Sequence, residues 1–129
     1  TGFDQVFNYY LKDQLNLTSS CNGLIKAAVA YIDDHYAERL SIARLAAISN
    51  MSVATFRREF QKIMETTPGA YITTIRINRA RKLLTETNKT IDTIAEECGF
   101  YDQSHFVKMF KQLRRQTPAQ YRRAHFNTK

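Results

Sequence analysis

Apolar residues recur along this chain every three or four positions, the period of an α-helix, with polar breaks between the runs. Phe3, Val6, Phe7, Tyr10 and Leu11 predict an amphipathic helix over residues 3–15, followed by the polar break LTSSCNG at 17–23. Ile25, Ala28, Val29, Ile32 and Tyr36 then mark one face of a helix over about 22–37. Its outer face carries Asp33, Asp34 and His35, and a lone His on such an acidic end reads as solvated rather than as a ligand.

From residue 42 onward the pattern occurs twice. Ile42, Leu45 and Ala46 correspond to Ile91, Ile94 and Ala95, a shift of 49. Ser52, Phe56, Phe60, Pro68 and Tyr71 correspond to Asp102, Phe106, Phe110, Pro118 and Tyr121, a shift of 50, so the second turn holds one extra residue. A duplicated unit fixes architecture. Each copy reads as a helix, a tight turn and a second helix.

The punctuation agrees in both copies. Ser41 and Thr90 stand as N-caps of the first helices, with no Glu or Gln three residues on to close a capping box. Those helices end at Asn50 and Gly99, residue types that tolerate the left-handed backbone of a sharp turn. Ser52 and Asp102 cap the second helices. Pro68 and Pro118 each sit where a new helix can start. From Pro68 a helix can run to about Leu84 with two apolar stripes: Ala70, Ile77, Ala80 and Leu84, and Tyr71, Ile72, Ile75 and Leu83. Such a helix is expected to be pressed between two bodies. Residues 85–89, TETNK, form a polar loop into the second copy.

At 129 residues and 43% hydrophobic content the chain forms one domain, or two very small ones. No apolar run is long enough to span a membrane, and no leader suggests secretion. From the start at Thr1 rather than Met, a piece of a longer protein is expected. The formal charge is +7, unevenly spread: residues 1–50 carry a net −1 and residues 51–129 a net +8. A basic half points to an anionic partner, nucleic acid above all, or to a merely solvated basic surface. Cys21 and Cys98 with three His match no zinc spacing, so neither a metal nor a cofactor is expected; Cys98 reads as a small packed residue in a reducing compartment.

A DNA-reading helix needs an inward apolar seam and an outward face of groove-reading side chains. Phe56 and Phe60 supply the first seam, leaving Val53, Ala54, Thr55, Arg57, Arg58 and Gln61 to point elsewhere. Phe106, Met109 and Phe110 supply the second, leaving Gln103, Ser104, His105, Val107, Lys108 and Lys111 outside. Arg can grip guanine with two hydrogen bonds, Gln can pair with adenine, and small residues can pack on a thymine methyl. An enzyme is not expected: Asp102, Ser104 and His105 are sequence neighbours that point in different directions on one helical turn and cannot form a relay.

These residues carry a resemblance. Residues 22–125 look like the DNA-binding domain of the AraC/XylS family of bacterial transcription regulators. Ile91, Ile94, Ala95, Cys98, Gly99 and Phe100 stand at the family's spacing, as do Asp102, Ser104, Phe106, Phe110 and Lys111, then Thr117, Pro118, Tyr121 and Arg122. Arg76, Asn78, Ala80, Leu83 and Leu84 resemble its linker helix. The resemblance implies an all-α fold of about seven helices: a first helix-turn-helix over 41–63, a rigid linker helix over 69–84 and a second helix-turn-helix over 90–113. Residues 22–126 would form the DNA-binding domain, and 1–21 a linker or tail from a missing regulatory domain.

By the same resemblance, DNA contacts fall on Ser52, Ala54, Thr55, Arg57 and Arg58 in the first copy. In the second they fall on Gln103, Ser104, His105, Val107, Lys108 and Lys111, and the two helices enter successive major grooves. Double-stranded promoter DNA and RNA polymerase are the implied partners, with homodimerisation through a missing N-terminal domain, in a bacterial cytoplasm. The implied role is that of an activator. The competing reading is a helical protein-interaction module on the same fold. The chain departs from the family at Glu65 and Arg115, where Gly is frequent, so those helix ends are expected to terminate differently. Lys108 stands where Arg is frequent, which weakens bidentate guanine recognition there.

Overall fold

The computed structural model describes residues 19–126, and these contain seven helices and no strand. They are α1 (Ser19–His35), α2 (Ile42–Ile48), α3 (Val53–Met64), α4 (Pro68–Glu86), α5 (Ile91–Glu97), α6 (Gln103–Arg114) and α7 (Pro118–Phe126). The helix predicted over residues 3–15 lies outside the described residues. The chain divides into two compact units: one holds α1 through Asp34 and Leu40–Ala70, the other His35–Arg39 and everything from Tyr71. The division falls inside α4, after Ala70.

In the first unit α2 packs on α3. Ile25, Ala28, Ile32, Leu45, Phe56 and Phe60 are fully buried, and the two phenylalanine rings lie 5.5 Å apart. Two polar residues share this interior. Asn22 is buried on α1, and the buried Ser49 hydroxyl donates to the Leu24 carbonyl at 3.2 Å. In the second unit α6 packs on α5 and on α7. Its core joins Ile77, Ala80 and Leu84 of α4 to Ile94, Ala95 and Cys98, to Phe100, Phe106 and Phe110, and to Tyr121. Burial pushes the Cys98 thiol up to about 11, with neighbouring Glu97 adding to the effect, so Cys98 is a packed thiol rather than a reactive one.

The two stripes expected on α4 are redrawn. Ala70 is exposed, and Leu83 packs against the same cluster as Ile77 and Leu84. The reason is geometric: Leu83 and Leu84 lie ~100° apart around a helix of 3.6 residues per turn, so one broad surface receives both. His35 Nδ1 lies 2.7 Å from Glu38 Oε2, on the exposed surface just past the helix end.

Both copies make the same turn with the same backbone bonds. The Met51 amide donates to the Ala46 carbonyl at 2.9 Å and the Asn50 amide to Ala47 at 3.0 Å. Phe100 and Gly99 repeat the pattern to Ala95 at 3.0 Å and Glu96 at 3.2 Å. This is the Schellman closure, and it requires a left-handed residue, here Asn50 (φ 59°) and Gly99 (φ 93°). At Gly99 space is also short. A Cβ there would lie 2.7 Å from the Tyr36 carbonyl oxygen and 2.9 Å from Arg76 Nε. Those two atoms are bonded to each other at 2.7 Å, and Arg76 Nη2 donates to the Glu38 carbonyl at 2.9 Å. Burial pulls the Arg76 guanidinium below its ordinary value, and these two carbonyls are what it gains in place of water.

The ends of α3 and α6 correct the expectation raised by the missing glycines. Glu65 (φ 60°) and Arg115 (φ 64°) are left-handed, as glycine would be. Each amide closes its helix, to Gln61 at 2.9 Å and to Lys111 at 2.8 Å. A non-glycine residue in this region costs roughly 1–3 kcal/mol. Glu65→Gly and Arg115→Gly should therefore each stabilise the protein by up to about 1 kcal/mol, after the entropy glycine adds to the unfolded chain. Gly99→Ala should instead cost about 2 kcal/mol or more, because it adds backbone strain and disturbs the Arg76 bonds. Urea denaturation of the three variants checks both signs at once.

Candidate nucleic-acid interface

The exposed face of each second helix is set by where its phenylalanines go. Phe56 and Phe60 are buried on α3, and Ala54, Arg57, Arg58 and Gln61 are exposed. Phe106 and Phe110 are buried on α6, with Ser104, Lys108 and Lys111 exposed and Val107 half-buried. The two sets occupy identical registers, i, i+3, i+4 and i+7, so each forms one stripe along its helix. Ala54 matches Ser104, Arg57 matches Val107, Arg58 matches Lys108 and Gln61 matches Lys111. Gln61 therefore belongs with the other face residues, and the repeat shift of 50 was the signal for it.

The N-terminal ends are built by caps. Ser52 Oγ accepts the Thr55 amide at 3.2 Å and lies 3.0 Å from Thr55 Oγ1. Asp102 Oδ1 accepts the His105 amide at 2.8 Å. The Asp102 carboxylate thus meets the backbone of His105, and the His105 ring sits edge-on to Phe100 with centroids 5.7 Å apart. Thr55 is half-buried; Gln103 and His105 are exposed. Of the residues expected to contact DNA, Ser52 and Thr55 are the ones already engaged with each other. Arg58 Nε lies 3.6 Å from Glu59 Oε2, but Arg58 is two-thirds exposed, and such a pair contributes little. Arg57 makes no ion pair among the described residues.

Sequence reasoning missed three supports behind these faces. Thr117 and Gln120 form a reciprocal capping box: the Thr117 amide donates to Gln120 Oε1 at 2.9 Å, and the Gln120 amide to Thr117 Oγ1 at 3.1 Å. The Thr-x-x-Gln spacing was its legible signal. Arg122 Nε donates to the Leu84 carbonyl at 2.9 Å and Nη2 to Thr87 at 3.1 Å, closing the C-terminal end of α4. Arg114 lies over the Tyr121 ring at 5.8 Å, which anchors the last turn of α6 on α7. The Arg122 contacts join residues 38 and 35 positions apart in the chain, and no local pattern shows them.

Two capped helices, each following a Schellman turn and each presenting one polar and basic stripe, are the layout of a tandem helix-turn-helix domain. Residues 45–124 match the family model described as "Helix-turn-helix domain". The chain is 38% identical over 92 residues to the bifunctional transcriptional activator/DNA repair enzyme AdaA of Bacillus subtilis (strain 168), covering 71% of this chain and 44% of that protein. It is 32% identical over 120 residues to the uncharacterized HTH-type transcriptional regulator YobQ of the same organism, covering 93% of this chain and 47% of that one. Among solved structures, the DNA-binding domain of AdpA in complex with a target DNA superposes with a TM-score of 0.75 at 30% identity, over 78% of this chain and 90% of that one. The chain belongs to the AraC-type family of helix-turn-helix transcription regulators. It spans less than half the length of the curated relatives it matches here. Among the described residues no helix is long and apolar enough to cross a membrane.

The caps yield a test of role. Removing an N-cap acceptor costs about 1 kcal/mol. Ser52→Ala and Asp102→Ala should each lower stability by that amount in urea denaturation, with Ser52→Gly and Asp102→Gly recovering most of it.

Proposed function

We propose that this chain is the DNA-reading part of a transcription activator, and that α3 and α6 each enter a major groove of promoter DNA. The observation that carries the proposal is the common register of the two exposed stripes, Ala54–Arg57–Arg58–Gln61 and Ser104–Val107–Lys108–Lys111, on helices that bury the same pair of phenylalanines. A stripe kept free of core duties twice, at the same positions, is what a repeated groove contact needs. The formation of a complex with target DNA by the AdpA domain supports it from a relative.

On this reading residues 22–126 bind DNA and residues 1–21 lead from a regulatory domain through which the whole protein dimerises. Ser52 and Thr55 serve the N-terminal end of α3, and Gln103, Ser104 and His105 that of α6. RNA polymerase is the partner that an activator of this class engages, in the bacterial cytoplasm and on the nucleoid. A protein-interaction module on the same fold would leave the stripes idle, and a salt-titrated DNA-binding assay separates the two: a module shows no salt-dependent affinity for duplex DNA.

The two stripes differ chemically. Arg57 and Arg58 offer bidentate donors, whereas Val107 offers apolar contact and Lys108 a point charge. The first reader should therefore dominate base selection and the second should anchor the backbone through Lys108 and Lys111. Arg57→Ala and Arg58→Ala should each cost about 1–3 kcal/mol on the target site and relax preference at one base pair. Parent-like binding by both to target and random DNA would show that α3 does not read sequence. Replacing Lys108 and Lys111 with Ala should instead weaken binding on all sequences and flatten the salt dependence by about one unit per lost phosphate contact.

Bipartite reading has its own test. Inserting about five base pairs between the two bound segments turns one of them half a helical turn around the duplex. High-affinity binding should be lost; tolerance of the insertion would mean that a single helix does the reading.

A further inference from the structure

The two turns differ by one residue, and the structure shows which. Phe100 takes the place of Met51 in the Schellman closure, and Asp102 takes the place of Ser52 as N-cap. Tyr101 between them has no counterpart in the first copy. Nor does it have a task in the fold. Phe100 is buried in the core, whereas Tyr101 is 85% exposed, the most exposed large apolar side chain among the described residues. Its hydroxyl makes no hydrogen bond among the described residues. An aromatic ring left in water gains nothing from folding, and a buried alternative was available one residue earlier.

Its place is informative. Tyr101 directly precedes the cap of α6, at the N-terminal end of the helix, which in a helix-turn-helix complex is the end that reaches the bases while nearby groups meet the flanking phosphates. The shallow groove beside it is lined by the carboxylates of Asp92, Glu96 and Asp102 and by no lysine or arginine. A phosphate arriving here finds no cation to grip. Tyr101 lines the same groove as those carboxylates, and its exposed phenol, on a long, rigid side chain, offers a neutral donor there.

We propose that Tyr101 is a DNA-positioning residue of the second reader, its hydroxyl donating a hydrogen bond to a backbone phosphate oxygen at the edge of the groove that α6 enters. The proposal rests on the DNA-reading function above and adds a contact that the first reader lacks. It divides the work of the second reader between a charged anchor, Lys108 with Lys111, and a neutral one. The neutral contact fixes register without adding to long-range attraction for DNA of any sequence, because the phenol carries no charge.

The test compares Tyr101→Phe, which removes only the hydroxyl, with the parent chain on its target duplex and on a duplex with altered bases in the second segment, across a salt series. A neutral hydrogen bond is worth about three- to tenfold in affinity. Tyr101→Phe should lose that factor on both duplexes alike, with an unchanged salt slope, since no charge is removed. The side chain is exposed, so thermal unfolding should match the parent. Parent-like affinity of Tyr101→Phe overturns the proposal, even if Tyr101→Ala binds weakly, for then only the ring matters. A loss confined to one base-pair identity also overturns it, in favour of direct base reading. If the parent itself shows no sequence preference and no salt-dependent affinity for duplex DNA, the DNA-reading function fails and this inference with it. A parent that binds while Tyr101→Phe is silent removes this inference alone.

Discussion

A seven-residue helix followed by a twelve-residue helix can share a core only if the chain turns sharply within the four or five residues between them, and that turn needs one left-handed residue. Asn50 and Gly99 supply it, and the paired backbone bonds from Met51 and Phe100 close the first helix of each copy. The cap that follows then sets where the second helix begins, and therefore which of its side chains face inward. Shift that start by one residue and the buried face rotates by ~100°, taking Phe56 or Phe106 out of the core and a reading position into it. The polar stripes are thus a consequence of turn geometry as much as of their own residues.

The second copy loads this turn more heavily than the first. Gly99 lies against the Arg76–Tyr36 hydrogen bond, so the absence of a Cβ there serves both the backbone angle and the closeness of approach. Arg76 and Arg122 do related work at separations of 35 to 40 residues, each satisfying backbone carbonyls at or just beyond a helix end. Free carbonyls at helix ends are a cost every helical protein must meet. Here planar guanidinium groups meet it, and in doing so they tie α4 to the segment after α1 and α7 to the end of α4. These arginines are basic residues by composition and structural ones by position. Part of the excess positive charge in residues 51–129 is therefore committed to the fold rather than offered to a partner.

The readers themselves divide their chemistry in a way that follows from the same frame. On α3 the stripe holds Arg57 and Arg58, able to pair with guanine in two bonds; on α6 the equivalent places hold Val107, half-buried, and Lys108. Duplication supplied one geometry, and the side chains at matched positions then diverged. Tyr101 extends that divergence into the turn, the one place where the copies differ in length.

Much of this was legible along the chain because its signals are local. Caps at Ser41, Ser52, Thr90 and Asp102, left-handed turns at Asn50 and Gly99, and the phenylalanine seams all depend on residues within a turn or two of each other, and the repeat states each of them twice. The eleven residues singled out for DNA contact fall on or beside the exposed N-terminal ends and stripes of α3 and α6 for the same reason. Their contact with DNA is a matter for the experiments above. What the chain could not show locally is which contacts close between distant segments. Glu65 and Arg115 look like residues that would avoid a left-handed backbone, yet they adopt it, because α3 and α6 must stop before Pro68 and Pro118 start new helices. Leu83 joins the stripe of Ile77, Asn22 is buried, and Ser49, Arg76 and Arg122 are held by carbonyls 25 to 40 residues away. Periodicity and capping determine which segments are helical and which face is apolar; only the assembled core decides which polar side chains it takes in and which helix ends bear strain.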